Sequence, residues 1–155
     1  MIFEHKISKM VEFSHTDMAG IMHFSNFYRF MEAVEHDMFR SLGHSIAGEY
    51  DEKGIPVGWP RVQAECSFSA PLKFEDVVDL HLIIREIRNA TVRYEVIFSK
   101  NVDGVPVEAA RGAVTIVHVG VDESTGKMSA RPIPEWLRKK ITAAAEDYLT
   151  KKPKK

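Results

Sequence analysis

The feature that most constrains the fold is a long apolar stripe near the N-terminus. Its side chains recur at steps of three and four residues, the spacing that aligns them on one face of an α-helix. They are Phe27, Met31, Val34, Met38 and Leu42. Ser25 or Asn26 can cap this helix, and Gly43 can end it. Further apolar side chains widen the stripe, so we expect the helix to be deeply enclosed.

Segments with the two-residue alternation typical of half-buried strands flank this helix. One precedes it, at residues 3 to 13. The others follow at residues 57 to 69, 77 to 88, 92 to 98 and 105 to 121. The last three are joined by the turn dipeptides Asn89-Ala90 and Asp103-Gly104, which indicates an antiparallel meander.

The final strand pattern predicts a specific inward face. Alternation across residues 105 to 121 places a set of mostly small and β-branched side chains on one side. They are Val105, Val107, Ala109, Ala113, Thr115, Val117 and Val119.

The order of these elements predicts an α+β fold. An antiparallel sheet of about five strands needs a cover for its apolar face, and the internal helix is the only element large enough to provide it. Residues 134 to 149 predict a packed C-terminal helix. We therefore expect a single domain over residues 1–150, followed by a basic, disordered tail at 151–155.

Composition excludes several classes of partner and compartment. The chain has 155 residues, of which 45% are apolar, enough for one substantial core. Its formal charge of −1 favours neither nucleic acid nor a membrane surface. Cys66 has no partner for a disulfide, and the N-terminus has no long apolar run. We therefore expect a cytoplasmic protein that binds neither nucleic acid nor membrane.

Asp17 lies in a short glycine-containing segment before the helix. It is about eight residues from the expected cap, too far for a local N-cap, and Gly20 lets the backbone fold back between them. A carboxylate here can act on water or on a carbonyl carbon. Unpaired N–H groups at the helix start can stabilise the oxygen that becomes negative during acyl transfer. The segment can therefore supply both halves of a hydrolytic site.

The same segment resembles a known signature. Asp17, Gly20, His23, Phe24 and Phe27, followed by the long helix, resemble the 4-hydroxybenzoyl-CoA thioesterase branch of the hotdog-fold acyl-CoA thioesterases. With the strands downstream, the resemblance extends over roughly residues 1 to 122. It implies the hotdog fold and hydrolysis of an acyl-CoA to free acid and CoA without a metal or redox cofactor. It also implies a homodimer or homotetramer whose pockets form at subunit contacts.

The resemblance further implies that Asp17 faces the thioester carbonyl. As a general base it would take a proton from the attacking water, and as a nucleophile it would form a mixed anhydride. The sequence leaves both routes open. A backbone N–H at or near Phe24 would stabilise the oxyanion. His23 could donate to the thioester or position water, or it could fill the pocket wall.

Other residues are candidates for substrate binding. Gly20, Asn26 and Phe27 belong to this group, although Asn26 suits a helix cap better. Arg88, Asn89 and Thr91 lie at a strand turn where the family often contacts CoA, and Arg88 could pair with a phosphate. An aromatic acyl pocket could be lined by Phe24, Phe27, Tyr28, Trp59 and Phe68. The same side chains could form ordinary core, and a short or medium aliphatic acyl group is equally compatible.

Glu65 is a second candidate carboxylate, because some thioesterases of this fold use one from the central helix or an adjacent strand. On its strand it could equally face solvent or pair with Arg61 or Lys73.

Two further hypotheses compete with the thioesterase. His15, Asp17 and His23 offer three metal-ligand side chains within nine residues, although no established ligand motif is present. A non-catalytic protein that binds acyl or CoA groups could share the fold. Such a binding module has no need for a carboxylate aimed at the thioester, so Asp17 favours the enzyme.

Overall fold

The computed structural model describes residues 1–149. Its strands are β1 (Glu4–Met10), β2 (Val57–Gly58), β3 (Arg61–Phe68), β4 (Val77–Ile87), β5 (Thr91–Val102), β6 (Val105–Val117), β7 (Val119–Val121) and β8 (Met128–Ala130). Its helices are α1 (Phe24–Ser41) and α2 (Glu135–Arg138), and a short 3-10 helix covers Phe13–His15. None of these helices is long and apolar enough to span a membrane.

The main sheet has five strands in the order β1-β4-β5-β6-β3, and every neighbouring pair is antiparallel. A smaller sheet contains β2, β7 and β8. The long helix α1 contacts β1, β3, β4 and β6. The predicted α+β fold, with a sheet of about five strands around a central helix, is confirmed. The Asp103-Gly104 turn joins β5 to β6, with both residues at positive φ as a tight hairpin requires.

The central helix begins at Phe24, two or three residues earlier than the predicted caps placed it. His23 is the N-cap, and its ring Nδ1 accepts the Ser25 N–H at 3.3 Å. The prediction of Ser25 or Asn26 as the cap is therefore wrong. Asn26 instead donates its side-chain Nδ2 to the His15 carbonyl at 2.8 Å. The helix ends as predicted before Gly43, whose φ of +86° suits a C-terminal glycine.

The inner face of the sheet follows the predicted alternation in two strands. In β4 and β5 it is formed by Val78, Leu80, Leu82, Ile84, Val92, Tyr94, Val96 and Phe98, all buried. From α1 the side chains of Phe27, Met31, Val34 and Met38 are buried against this core.

The predicted inward face of the last strand is wrong at Val105, which is 62% exposed, and from Ala113 to Val117, whereas Val119 in β7 is buried as predicted. Phe98 pairs with Ala110, whereas Ser99 pairs with Glu108, so Ala109 is an extra residue in a β-bulge. A one-residue bulge moves every later side chain to the opposite face. The β6 residues that face the core, beside the inner face of β5, are therefore Ala110, Gly112, Val114 and Ile116. Ala113, Thr115 and Val117 lie on the opposite face.

The predicted C-terminal helix is also much shorter than expected. α2 ends at Arg138, and main-chain groups of Lys140, Thr142 and Ala144 bond to other segments of the chain. Ile2 N–H donates to the Lys140 carbonyl at 2.7 Å, and Ala144 N–H donates to the Ile84 carbonyl at 2.8 Å. These bonds use groups that a continuing helix would need for itself. The predicted tail at 151–155 lies outside the described residues.

Candidate active site

Asp17 lies in a tight loop that is closed by main-chain hydrogen bonds. Its N–H donates to the Ile21 carbonyl at 3.0 Å, and the Gly20 N–H donates to the Asp17 carbonyl at 2.9 Å. A bridge between Thr16 and Met22 closes the loop. Gly20 has a φ of +75°, a conformation that side chains with a Cβ rarely adopt. The loop therefore needs a glycine at this position for its backbone rather than for space.

The carboxylate of Asp17 is oriented but exposed. Its Oδ1 accepts the Ala19 N–H at 2.8 Å, an Asx turn that fixes the side chain. It forms no ion pair with any residue in 1–149. A fixed carboxylate that retains a free oxygen can approach a ligand without first breaking a salt bridge.

The His15 carbonyl ties the segment before the loop to the start of α1. It accepts the His23 N–H at 2.9 Å and the Asn26 side chain at 2.8 Å. Phe24 is the first helical residue, and its N–H donates to no acceptor within residues 1–149. Such N–H groups at a helix start carry partial positive charge. This N–H is therefore available to an oxygen of a ligand.

A groove of about 440 Å³ lies beside Asp17 and Phe24. Its aromatic wall includes Phe27 and Phe68, whose ring centroids are 4.9 Å apart. Asp17 also borders a polar hollow of about 520 Å³ that includes His23, Asn26 and Arg29. Asp17 therefore stands between an apolar groove and a polar one. Of the predicted aromatic pocket, Tyr28 does not border the apolar groove, and Trp59 lies near the other end of α1.

Three of the predicted substrate-binding residues lie far from Asp17 in the same chain. Arg88, Asn89 and Thr91 occupy the β4–β5 turn, where the Arg88 guanidinium pairs with Glu86 at 3.0 Å. The loop that contains Asp17 lies at the other end of β4, a strand of 11 residues that spans about 35 Å. A single chain therefore does not bring this turn to Asp17.

The side chains of the metal hypothesis do not converge. His15 Nδ1 accepts the Glu12 N–H at 2.9 Å, and His23 Nδ1 is used in the helix cap. Across residues 1–149 no group of three His, Cys, Asp or Glu side chains is arranged to hold a metal ion.

Glu65 is exposed on β3 and pairs with Arg93 at 2.7 Å, so both partners predicted for it are wrong. Arg61 instead pairs with the buried carboxylate of Glu35. Lys73 forms no ion pair within the described part of the chain.

Sequence reasoning missed the buried carboxyl of Glu35. This residue is 0% exposed, and its Oε2 accepts from the Tyr94 hydroxyl and from Arg61 Nη2, the latter at 3.0 Å. Its Oε1 has no partner within residues 1–149. Burial raises the pKa of Glu35 to about 7. Its position was detectable, because Glu35 follows Met31 by four residues and so lies within the apolar stripe.

Comparison with known proteins identifies the family. The family model of the thioesterase-like superfamily matches residues 11–141. The chain belongs to the thioesterase-like superfamily. This superfamily member is 31% identical over 83 residues to a 4-hydroxybenzoyl-CoA thioesterase of Pseudomonas sp. (strain CBS-3), covering 53% of the chain and 58% of the relative. It is 23% identical over 138 residues to a 1,4-dihydroxy-2-naphthoyl-CoA hydrolase of Prochlorococcus marinus (strain NATL2A), covering 84% and 85%.

Solved structures agree with this assignment. A gentisyl-coenzyme A thioesterase superposes with a TM-score of 0.71 at 32% identity, covering 86% of this chain and 98% of the other. The predicted likeness to 4-hydroxybenzoyl-CoA thioesterases is therefore confirmed, as is the enzyme class of thioester hydrolase. The relatives also support acyl-CoA thioesterase activity in general.

Proposed function

We propose that this thioesterase-like protein hydrolyses an acyl-CoA with an aromatic acyl group, with Asp17 as the reacting carboxylate. The observation that carries this proposal is the groove that Asp17 shares with Phe24, Phe27 and Phe68. Flat apolar walls favour a flat apolar acyl group over a flexible chain, which would lose more conformational freedom on binding. The three relatives described above are named for 4-hydroxybenzoyl, 1,4-dihydroxy-2-naphthoyl and gentisyl groups, all of which are aromatic.

Residues of the Asp17 loop and of the start of α1 have separate roles in this proposal. The thioester carbonyl oxygen would accept the free Phe24 N–H, so charge that develops on this oxygen meets the positive end of α1. Asp17 would then act on water as a general base or attack the carbonyl carbon directly. Gly20 and Asn26 would hold the loop and helix start in place rather than bind substrate strongly. His23, which caps α1, would act by positioning the Phe24 N–H.

A second subunit would complete the site. β3 is an edge strand of the main sheet, and most of its residues are exposed although it includes Val62 and Phe68. An exposed apolar edge invites pairing with another strand. Antiparallel pairing of β3 with its copy would give a homodimer in which the β4–β5 turn of one subunit lies at the same end as Asp17 of the other. Arg88, Asn89 and Thr91 could then contact the CoA moiety.

The test is the Asp17→Asn variant, assayed by release of free thiol from a panel of aromatic and aliphatic acyl-CoA substrates. Asn is nearly isosteric but cannot take up a proton or attack as a carboxylate, so kcat should fall by about a hundredfold or more. Asp122→Asn is a matched control, because Asp122 is also exposed and accepts a backbone N–H two residues ahead, from Ser124 at 2.9 Å. It should retain full activity.

Two outcomes would contradict the proposal. Full turnover by a folded Asp17→Asn variant would remove Asp17 from the reaction. Binding of acyl-CoA by the unmodified protein without thiol release would favour the non-catalytic alternative. Label in the Asp17 carboxylate after turnover in heavy-oxygen water would show a mixed anhydride that water opens at Asp17 Cγ, with the other Asp17 oxygen leaving in the product acid.

A further inference from the structure

A second cavity lies at the opposite end of α1 from Asp17. It has a volume of about 690 Å³, within the range of small-molecule sites. Residues at its border include Tyr50, Trp59, His118, Arg131 and Trp136. The rings of Trp59 and Trp136 pack against Phe39, with centroid distances of 5.5 and 6.4 Å. Phe39 follows Phe24 by 15 residues, or about 22 Å along the helix. This aromatic cavity is therefore separate from the groove beside Asp17.

His118 gives the aromatic cavity a buried hydrogen-bond acceptor. The residue is 6% exposed, and its Nδ1 lies 2.8 Å from the Pro132 carbonyl. A carbonyl can only accept, so Nδ1 carries a proton, and in the neutral ring Nε2 keeps a lone pair. Nε2 has no partner among residues 1–149. Since the ring is nearly buried and borders the cavity, the cavity is where Nε2 can find one.

Trp59 adds a donor beside this acceptor. It is also 6% exposed, and its ring lies 4.8 Å from that of His118. An indole N–H can only donate, and that of Trp59 has no acceptor within the described chain. Two nearly buried rings thus present one acceptor and one donor without protein partners. Neither nitrogen is among the fully buried atoms without a partner in residues 1–149, so both remain accessible and a ligand in the cavity can reach them.

Four carboxylates and three basic side chains lie at the rim of the aromatic cavity. Two ion pairs lie at the border, Arg131–Asp51 at 2.6 Å and Lys139–Glu135 at 2.7 Å. The carboxylate of Glu49 instead contacts His44 at 3.2 Å, a residue outside the cavity border. The remaining two, Glu52 and Lys53, are neighbours of opposite sign. The cavity therefore offers flat aromatic walls and two hydrogen-bonding groups, and its one excess carboxylate disfavours an anionic ligand.

We propose that the aromatic cavity is a second binding site, for an uncharged planar aromatic compound with a hydroxyl group. The ring would pack against Tyr50 and Trp136. The hydroxyl would donate to His118 Nε2 and accept from Trp59 Nε1, because a hydroxyl has both capacities. This site is independent of the thioester chemistry at Asp17.

The experiment uses the fact that the chain has only two tryptophans, both at this cavity. In protein labelled with fluorotryptophan, each fluorine NMR signal reports on the site. Phenol is the probe, and cyclohexanol is the control, since it has the same hydroxyl on a ring that is not flat. Phenol should shift both signals saturably, and cyclohexanol should bind at least tenfold more weakly.

Two variants test the hydrogen bonds. In His118→Asn the amide can still donate to the Pro132 carbonyl but Nε2 is lost, so phenol should bind about tenfold more weakly. Trp59→Phe removes the indole N–H, should weaken binding similarly and leaves Trp136 as the reporter. If one variant lacks a cooperative unfolding transition and so is not folded, the other variant alone tests the proposal. Asp17→Asn should bind phenol like the unmodified protein.

The proposal is overturned by any of three results. The first is the lack of a saturable shift with phenol in the unmodified protein. The second is equal binding of cyclohexanol, and the third is unchanged phenol affinity in the folded variants.

Discussion

Glu35 shows how one side chain can connect the core to the edge of the sheet. Its carboxyl group is fully buried on α1, and its partner Arg61 lies on the edge strand β3, where it also pairs with Glu32 at 3.2 Å. Burial of a charge is costly unless it is paired and hydrogen-bonded. The bonds from Arg61 and Tyr94 offset only part of this cost, because the pKa of Glu35 remains raised to about 7.

This raised pKa predicts a pH-dependent stability. Between the ordinary pKa of 4.5 and about 7, the folded state holds a proton that the unfolded state has released. The stabilisation is therefore complete below pH 4.5 and is lost as the pH rises towards 7, a change of about 3 kcal/mol in the free energy of unfolding. Urea unfolding at about pH 5 and about pH 8 should show this loss relative to Glu35→Gln, which cannot ionise.

Glu65→Gln is the matched control for this measurement. Glu65 is an exposed carboxylate with one ion pair, to Arg93, so its removal should change stability little and similarly at both pH values. Stability curves for the unmodified protein and Glu35→Gln that run parallel with pH would contradict the prediction.

At the scale of elements, the start of α1 determines the geometry of the candidate site. The Phe24 N–H is available only because the helix begins at this residue, and His23 fixes that start through its bond to the Ser25 N–H. Its ring also lies against that of Phe24, with centroids 4.6 Å apart. The cap and the proposed oxyanion contact are thus neighbours on the same turn.

His23→Ala should lower the free energy of unfolding by about 1 kcal/mol, because it removes the N-cap acceptor. His23→Asn keeps a side-chain acceptor suited to this position, so its stability and its thioester hydrolysis should stay close to those of the unmodified protein. Thermal unfolding and thiol release measure the two effects. Loss of hydrolysis in a stable His23→Asn variant would show that the imidazole takes a direct part in the reaction.

At the scale of the whole molecule, the open edge of β3 is where a second subunit would complete the proposed site. One chain leaves the apolar groove open to solvent and keeps the β4–β5 turn at the far end of the sheet. A homodimer formed through β3 would cover the groove and bring a β4–β5 turn to the end of the sheet where Asp17 lies, because the partner covers the edge and supplies its own turn.

Val62→Asp should therefore dissociate the proposed dimer, since it puts a charge on the apolar part of β3. Val105→Asp is the matched control, with the native valines 63% and 62% exposed and only Val62 on the edge strand. Light scattering after size exclusion measures the mass of each variant, and thiol release measures its activity. A dimer that survives Val62→Asp would place the subunit contact elsewhere.

The sequence by itself determined the elements whose signals are local. The period of 3.6 along α1 and the alternation along β4 and β5 follow from neighbouring residues, as does the tight turn at Asp103-Gly104. The loop at Asp17 was also readable, because Gly20 is needed for its backbone conformation. These features depend on conformational preferences that each short segment already has.

Only the tertiary structure decided features that depend on distant partners. The bulge at Ala109 is defined by pairing with β5, and the backbone after α2 leaves the helix because Ile2 and Ile84 offer it hydrogen bonds. The distance between Arg88 and Asp17 likewise follows from strand direction, not from spacing along the chain. A sequence pattern specifies which side chains share a face only where the element is regular, as in β4 and β5. The elements opposite, and their competition for hydrogen bonds and apolar surface, are fixed only when the chain is folded.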